Sequence, residues 1–329
     1  TTAATGCTNN MTGSVTIGIN PLPAVFAVTG GGNYCAGGTG VAIGVSGSTA
    51  GIIHQLYNGV AAYGSPVVGT GGALSFGLVT APGVYTDVAT NATTGCSVTM
   101  TGSAVVNINP LPGLFTIGGG GNYCAGGTGV SVTLGGSAIG ISYQLYVGGV
   151  PSGAPLAGTT FPLNFGLKTT AGTYTVVGTN VTTGCSATMT GTTSIVINPL
   201  PVLHTVTGGG SYCSGGTGLH VGLSSSASGI NYQLLIGGTP VGLPVPGTGT
   251  SIDFGLQTAA GVYTVSALNP LTLCAANMTG SVTITINPTP AVYTVTGGGS
   301  YCTGGSGVHV GLSNSDIGFS YLIHINRRL

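Results

Sequence analysis

Charge is what this sequence most lacks. Of 329 residues, three are basic (Lys168, Arg327, Arg328) and three acidic (Asp87, Asp253, Asp316), so charged residues make up 2% of the chain. Ordinary soluble domains carry about a quarter. A nucleic-acid partner needs a basic patch, and two arginines at one end do not supply it. Calcium binding needs clustered carboxylates and acid–base catalysis needs paired ones, and three scattered aspartates offer neither. Tryptophan is absent, which removes the usual stacking platform of a carbohydrate-binding module. There is no run of about 20 apolar residues, so no membrane insertion as a helix is expected. Cysteines with CxxC or Cys/His ligand spacing are missing too, so no metal, cofactor or catalytic residue is assigned.

What is present is a repeat. The segment NYCAGGTGVAIGV around Cys35 returns as NYCAGGTGVSVTL at Cys124, SYCSGGTGLHVGL at Cys213 and SYCTGGSGVHVGL at Cys302, 89 residues apart each time. Cys7, Cys96, Cys185 and Cys274 form a second series with the same step. A unit of this size can bury a core of its own, unlike the short units of solenoids. The 65 glycines argue against helix. Short alternating runs bounded by Gly, Pro, Asn and Ser predict strands, which in the second unit cover 130–134, 141–146, 162–165, 173–178 and 186–197. Val130, Val132 and Leu134 should share the inner face. The expected fold is therefore all-β: tandem immunoglobulin-like sandwiches at 24–112, 113–201 and 202–290, with partial units at 1–23 and 291–329.

Tyr174 and Tyr263 in AGxYTV, and Tyr85 in PGVYTD, match the tyrosine corner of immunoglobulin-like sandwiches. Tyr143, Tyr232 and Tyr321 recur at one inward-looking position, which favours core packing over ligand binding. His54, His204, His220, His309 and His324 are the histidines. His220 and His309 stand where the other units have Ala42 and Ser131, on an outward face, and no repeat supplies partners for a metal or catalytic role. Four Asn-x-Thr triplets, at Asn10, Asn91, Asn180 and Asn277, arise easily in a Thr-rich chain and assign no glycan.

Eight cysteines at two periodic positions read as disulfides and an oxidising, extracellular or cell-surface location. Pairing within each unit would join Cys35 to Cys96, Cys124 to Cys185 and Cys213 to Cys274. Each bond would close a loop of about 60 residues, worth about 4 kcal/mol in the chain-entropy model.

The stretches NPLP (109–112, 198–201), GGGNYCAGGTGV and AGTYTVVGTNVTTGCSATMTG (171–191) resemble the tandem immunoglobulin-like or PKD-like repeats of very large secreted surface adhesins of Bacteroidota-type bacteria. The resemblance covers residues 1 to about 322, and implies a surface or extracellular role in adhesion, gliding or matrix, with no catalytic residues. The end departs from the repeat: after Tyr321 the hairpin becomes LIHINRRL.

By the 89-residue step, Thr1 corresponds to Thr90 and Leu329 to Pro240. The two partial units are complementary, short by about 27 residues equivalent to 241–267. The expectation is a structural subunit of an extracellular filament, with the chain itself as partner and other cell-surface or matrix components as further candidates. The N-terminal strand of one copy would dock into the C-terminal half-domain of the next, giving head-to-tail growth and a Cys7–Cys302 intermolecular disulfide. A stalk segment of a large surface adhesin is the alternative, and a carbohydrate-binding module a third reading.

Overall fold

The structure, a computed structural model, describes residues 3–325, and among these there are strands and turns but no helix. Arg327 and Arg328, and with them the end of the LIHINRRL tail, lie outside the described residues.

Within 24–112, nine strands build two sheets: β1 (Val28–Gly30), β2 (Gly32–Cys35), β3 (Val41–Val45), β4 (Ile53–Asn58), β5 (Ala61–Val68), β6 (Leu74–Val79), β7 (Gly83–Thr90), β8 (Ser97–Thr99) and β9 (Ala104–Asn109). One sheet has the order β1-β3-β6. The other runs β2-β9-β7-β4-β5, with β8 on the free part of β7. Alternation drives both, because each strand turns every second side chain inward. Ile43, Val45, Leu56, Val79, Tyr85, Ala89 and Val106 meet in the buried space between the sheets.

The glycine run before each NYC or SYC segment has a specific use. The chain leaves β1 in one sheet and enters β2 in the other within three residues, and Gly30 and Gly31 take φ of 88° and 78° there. A Cβ on Gly30 would also run into the Ala42 carbonyl oxygen. Only glycine makes this crossing without strain. Once across, β2 pairs parallel with β9, which brings the last and nearly the first strand of the repeat together.

The same strand order recurs in 202–290: Val206–Gly208, Leu219–Leu223 and Ile252–Gln257 form one sheet, and Gly210–Cys213, Val282–Asn287, Gly261–Leu268, Asn231–Ile236 and Thr239–Pro246 the other. The middle repeat has the same two sheets. There the strand expected over 186–197 is two, Ser186–Thr188 and Thr193–Asn198, separated at Gly191, whose φ is 80°. Val132 and Leu134 are buried as expected. The corner exists as well: Tyr85 and Tyr263 donate to the carbonyls of Ala81 and Ala259, at 2.8 and 2.9 Å.

By packing, the described chain falls into two compact units. The first holds Ser131–Gly166, Gly172–Ser194 and what is described up to Gly119; the second holds Gly120–Val130, Leu167–Ala171 and what is described from Ile195 onward.

Flanking the repeats are less complete pieces. Val295–Gly297 and Val310–Leu312 pair as an isolated two-stranded sheet, the counterpart of the first two strands of the smaller sheet in each complete repeat.

Candidate functional site: the cysteine-bridged junctions

Each complete repeat places its two cysteines at opposite ends. Cys35 closes β2, level with Asn109 at the end of β9, and Ala36 N–H donates to the Asn109 carbonyl at 2.9 Å. This is the trailing end, from which the NPLP linker departs. Cys96 lies in the turn after β7, where Asn91 N–H donates to the Cys96 carbonyl at 2.9 Å and Ser97 is level with Thr90. This is the leading end. The two ends are about ten residues apart along β7, on the order of 30 Å at ~3.3 Å per residue.

A disulfide needs its Cα atoms within about 7 Å, so the expected pairing inside each repeat is geometrically excluded. The structure bonds Cys35 to Cys185 and Cys124 to Cys274 instead, each across a sequence separation of 150 and with Cα atoms 5.5 Å apart. The trailing cysteine of one repeat thus joins the leading cysteine of the next. Cys96 and Cys213, expected in bonds, are free, as are Cys7 and Cys302. Bonding also hides the leading position: Cys185 and Cys274 are fully buried, while Cys96 is half-buried.

The bond adds to a linker that is already restricted. Pro110 and Pro112 fix their own φ and bias the residues before them to extended backbone. At the leading end, the Asn91, Asn180 and Asn269 side chains accept hydrogen bonds from backbone N–H groups two and three residues on. Such Asx-turns hold the short loop that presents the cysteine. Gly95 and Gly184 complete this loop with φ of 71° and 74°, and Leu273 is forced into the same left-handed region at 58°.

Two histidines do find carboxylates. His54 Nδ1 lies 2.6 Å from Asp87 Oδ2, with both side chains buried in the first repeat. Asp87 Oδ1 has no hydrogen-bond partner among the described residues. Burial pushes the Asp87 carboxyl above the ordinary 3.8, against the opposing pull of the His54 hydrogen bond. His220 lies 2.7 Å from Asp253 Oδ2 on the exposed face of the third repeat. Its hydrogen bond, joined by one from the Gly255 N–H, holds the Asp253 carboxyl below 3.8. The first pair had a signal in the sequence. His54 stands where other repeats have Tyr143 and Tyr232, and Asp87 where they have Val176 and Val265, a matched double change.

His204 is an aromatic plug beside Tyr232, with ring centroids 6.4 Å apart. His309 and His324 are exposed. No cluster of three or more metal-ligating side chains occurs among the described residues. Tyr143 and Tyr232 are fully buried, which leaves them unable to serve as a sugar platform. No helix is long and apolar enough to cross a membrane among the described residues.

No protein-family model matches the chain, and no curated protein matches it. Among solved structures, the chain is similar to Sidekick-1 immunoglobulin domains 1–5, at 14% identity and a TM-score of 0.28, covering 81% of this chain and 58% of that one. It therefore spans little more than half of that chain's length. An ICAM-5 D1–D4 ectodomain fragment matches at 14% identity and a TM-score of 0.33, over 82% of this chain and 75% of the other. Fibronectin(III)-like modules of Clostridium thermocellum CbhA match at 12% identity and a TM-score of 0.30, over 53% of this chain and 95% of theirs. At these scores the likenesses carry no argument about function, and the tandem sandwich architecture rests on the sheets themselves.

Proposed function

We propose that this chain is a structural subunit of an extracellular or surface fibre, in which copies join head to tail by strand complementation. The observation that carries this reading is a contrast between equivalent positions. In the first repeat Ala104 and Val106 are 2% and 1% exposed, whereas Val15 and Ile17, one period earlier, are 91% and 89% exposed. At the other end, Val310, Leu312, Tyr321 and Ile323 line an open groove with Val295 and His324. Their equivalents Val221, Leu223, Tyr232 and Leu234 are core. Among the described residues, one flanking segment has the sequence of a repeat's last strand but no sheet partner and exposed apolar side chains, and the other has only two paired strands with an open apolar groove. Strand addition would bring the two together, with the counterpart of 241–267 not supplied by either segment.

Two further properties support the reading. The disulfides fit an oxidising compartment, and a surface of almost no charge offers little repulsion between copies. No catalytic chemistry is assigned.

Negative-stain imaging and sedimentation of the purified chain test the proposal. Fibres are expected, and a synthetic peptide of residues 8–23 should cap them and shorten them in proportion to its concentration. Monodisperse particles at every concentration, unchanged by the peptide, would favour a second reading. In that reading the chain is a stalk segment of a larger surface adhesin, where neighbouring repeats of one polypeptide close the half-sandwiches.

A further inference from the structure

The trailing cysteine of every complete repeat is set by one pairing. Gly32–Cys35 lies parallel to Val106–Asn109, Gly121–Cys124 to Ile195–Asn198, and Gly210–Cys213 to Ile284–Asn287, always with the cysteine level with the asparagine. Both halves of this pairing recur, unpaired, in the flanking segments. Residues 299–302 read GSYC, identical to 210–213, and residues 14–20 read SVTIGIN against SVTITIN at 281–287. The third repeat is thus a template, one substitution away, for how 299–302 of one copy would lie along 17–20 of another.

That pairing would set Cys302 level with Asn20. The place is already marked, because the Cys96 thiol lies 3.9 Å from the Asn20 carbonyl oxygen. Cys96 is a leading cysteine, equivalent to Cys185 and Cys274, both of which bond a trailing cysteine. It is free. Resting on the strand-complementation reading above, we infer that Cys96 of one copy forms a disulfide with Cys302 of the next. The Cys7–Cys302 bond expected from the sequence has the wrong polarity. Cys7 is a leading cysteine and Cys302 a trailing one of the same composite sandwich, which puts them at opposite ends.

The bond requires an oxidant, and a low-molecular-weight disulfide such as glutathione disulfide suffices. One cysteine thiolate attacks it and expels a glutathione thiolate, leaving a mixed disulfide. The second cysteine thiolate then attacks the protein-bound sulfur and expels the other glutathione. Two protein thiols become one disulfide, one glutathione disulfide becomes two glutathiones, and the two protons end on the released thiolates.

The test uses the full chain, assembled and then treated with glutathione disulfide, with peptide mapping and non-reducing gels as readouts. A ladder of covalent multimers is expected, along with a cross-linked pair of peptides containing Cys96 and Cys302. Cys302→Ser and Cys96→Ser should each abolish the Cys96–Cys302 peptide while sedimentation still reports assembly, and the ladder itself should disappear only when the free Cys7 and Cys213 are removed as well; Cys7→Ser should retain the Cys96–Cys302 peptide. A Cys7–Cys302 peptide, or a Cys96–Cys302 link missing from assembled protein, would overturn the inference and leave strand complementation standing. Failure to assemble before oxidation would overturn both.

Discussion

The first and third repeats solve the same packing problem with different chemistry. At the centre of the third, Tyr232 lies one step along the same face from Leu234, which is opposite Val265, and its hydroxyl oxygen accepts a hydrogen bond from the Ala227 N–H at 2.8 Å. At the same two places the first repeat buries His54 against Asp87. At these two places one core has an apolar side chain and a satisfied tyrosine hydroxyl, with His204 Nε2 unpartnered beside it; the other holds an ionisable pair with one carboxylate oxygen unpartnered. A second His–Asp pair, His220 with Asp253, sits on the open face of the third repeat. The two pairs have similar His–carboxylate distances, but burial dominates at Asp87 and raises its carboxyl, whereas the His220 and Gly255 hydrogen bonds dominate at exposed Asp253 and lower it. The sandwich therefore tolerates this motif at its surface at little cost, while a core position makes it a point of weakness or of control.

The comparison breaks most sharply when one partner is removed. Asp87→Ala leaves His54 buried alone and should destabilise the first repeat by about 3–5 kcal/mol. Asp253→Ala in the third should change stability by less than about 1 kcal/mol, since exposed pairs contribute little. Hydrogen exchange on the intact chain, read at the β4 and β7 amides and their third-repeat counterparts, distinguishes the two. Next in size is the conversion of one core into the other. The double variant His54→Tyr, Asp87→Val should stabilise the first repeat by about 1–4 kcal/mol, because well-packed apolar groups often outperform a buried ion pair. A loss of stability in that variant would mean the pair is better accommodated than its bare oxygen implies.

The pH dependence has opposite signs in the two repeats. Asp87, raised by burial from 3.8, contributes stability that is full below that value and is lost as pH rises through its folded pKa. Asp253, lowered from 3.8, contributes stability that is present above that value and lost as pH falls through its folded pKa. Carboxyl carbon NMR should find one midpoint on each side of the ordinary value. A further modest effect concerns the leading-end loop. Leu273→Gly restores the residue found at Gly95 and Gly184 and relieves a left-handed leucine, worth about 1 kcal/mol. A shift in the urea midpoint of the third repeat reads it.

Period, strand positions and tyrosine corner were legible because they are local: alternation, turn residues and a repeated string all lie within a few residues. The disulfide pairing was not. It depends on which end of the sheet each cysteine reaches, and only the parallel pairing of β2 with β9 puts Cys35 at the trailing end. Unit boundaries suggested the pair inside a repeat, and strand direction ruled it out. The His54–Asp87 contact was hidden for a related reason, since it requires the register of β4 against β7, which sets Leu56 opposite Asp87 and His54 one step along the same face. The exposed cores of the flanking segments could be anticipated from the phase of the repeat. The placing of the Cys96 thiol beside Asn20 could not.

The two disulfides also overlap in sequence, since Cys124 lies inside the span from Cys35 to Cys185, and Cys185 inside the span from Cys124 to Cys274. Under tension this makes a brake. Between Cys35 and Cys274 the unfolded backbone could pay out to on the order of 800 Å at ~3.3–3.6 Å per residue. The shortest covalent route crosses one bond to Cys185, returns along the chain to Cys124 and crosses the other bond to Cys274. It uses only 124–185 and ends at about 200 Å. A pulled chain with every sandwich in this span undone would stop at roughly a quarter of its contour, and chemical reduction would release the rest.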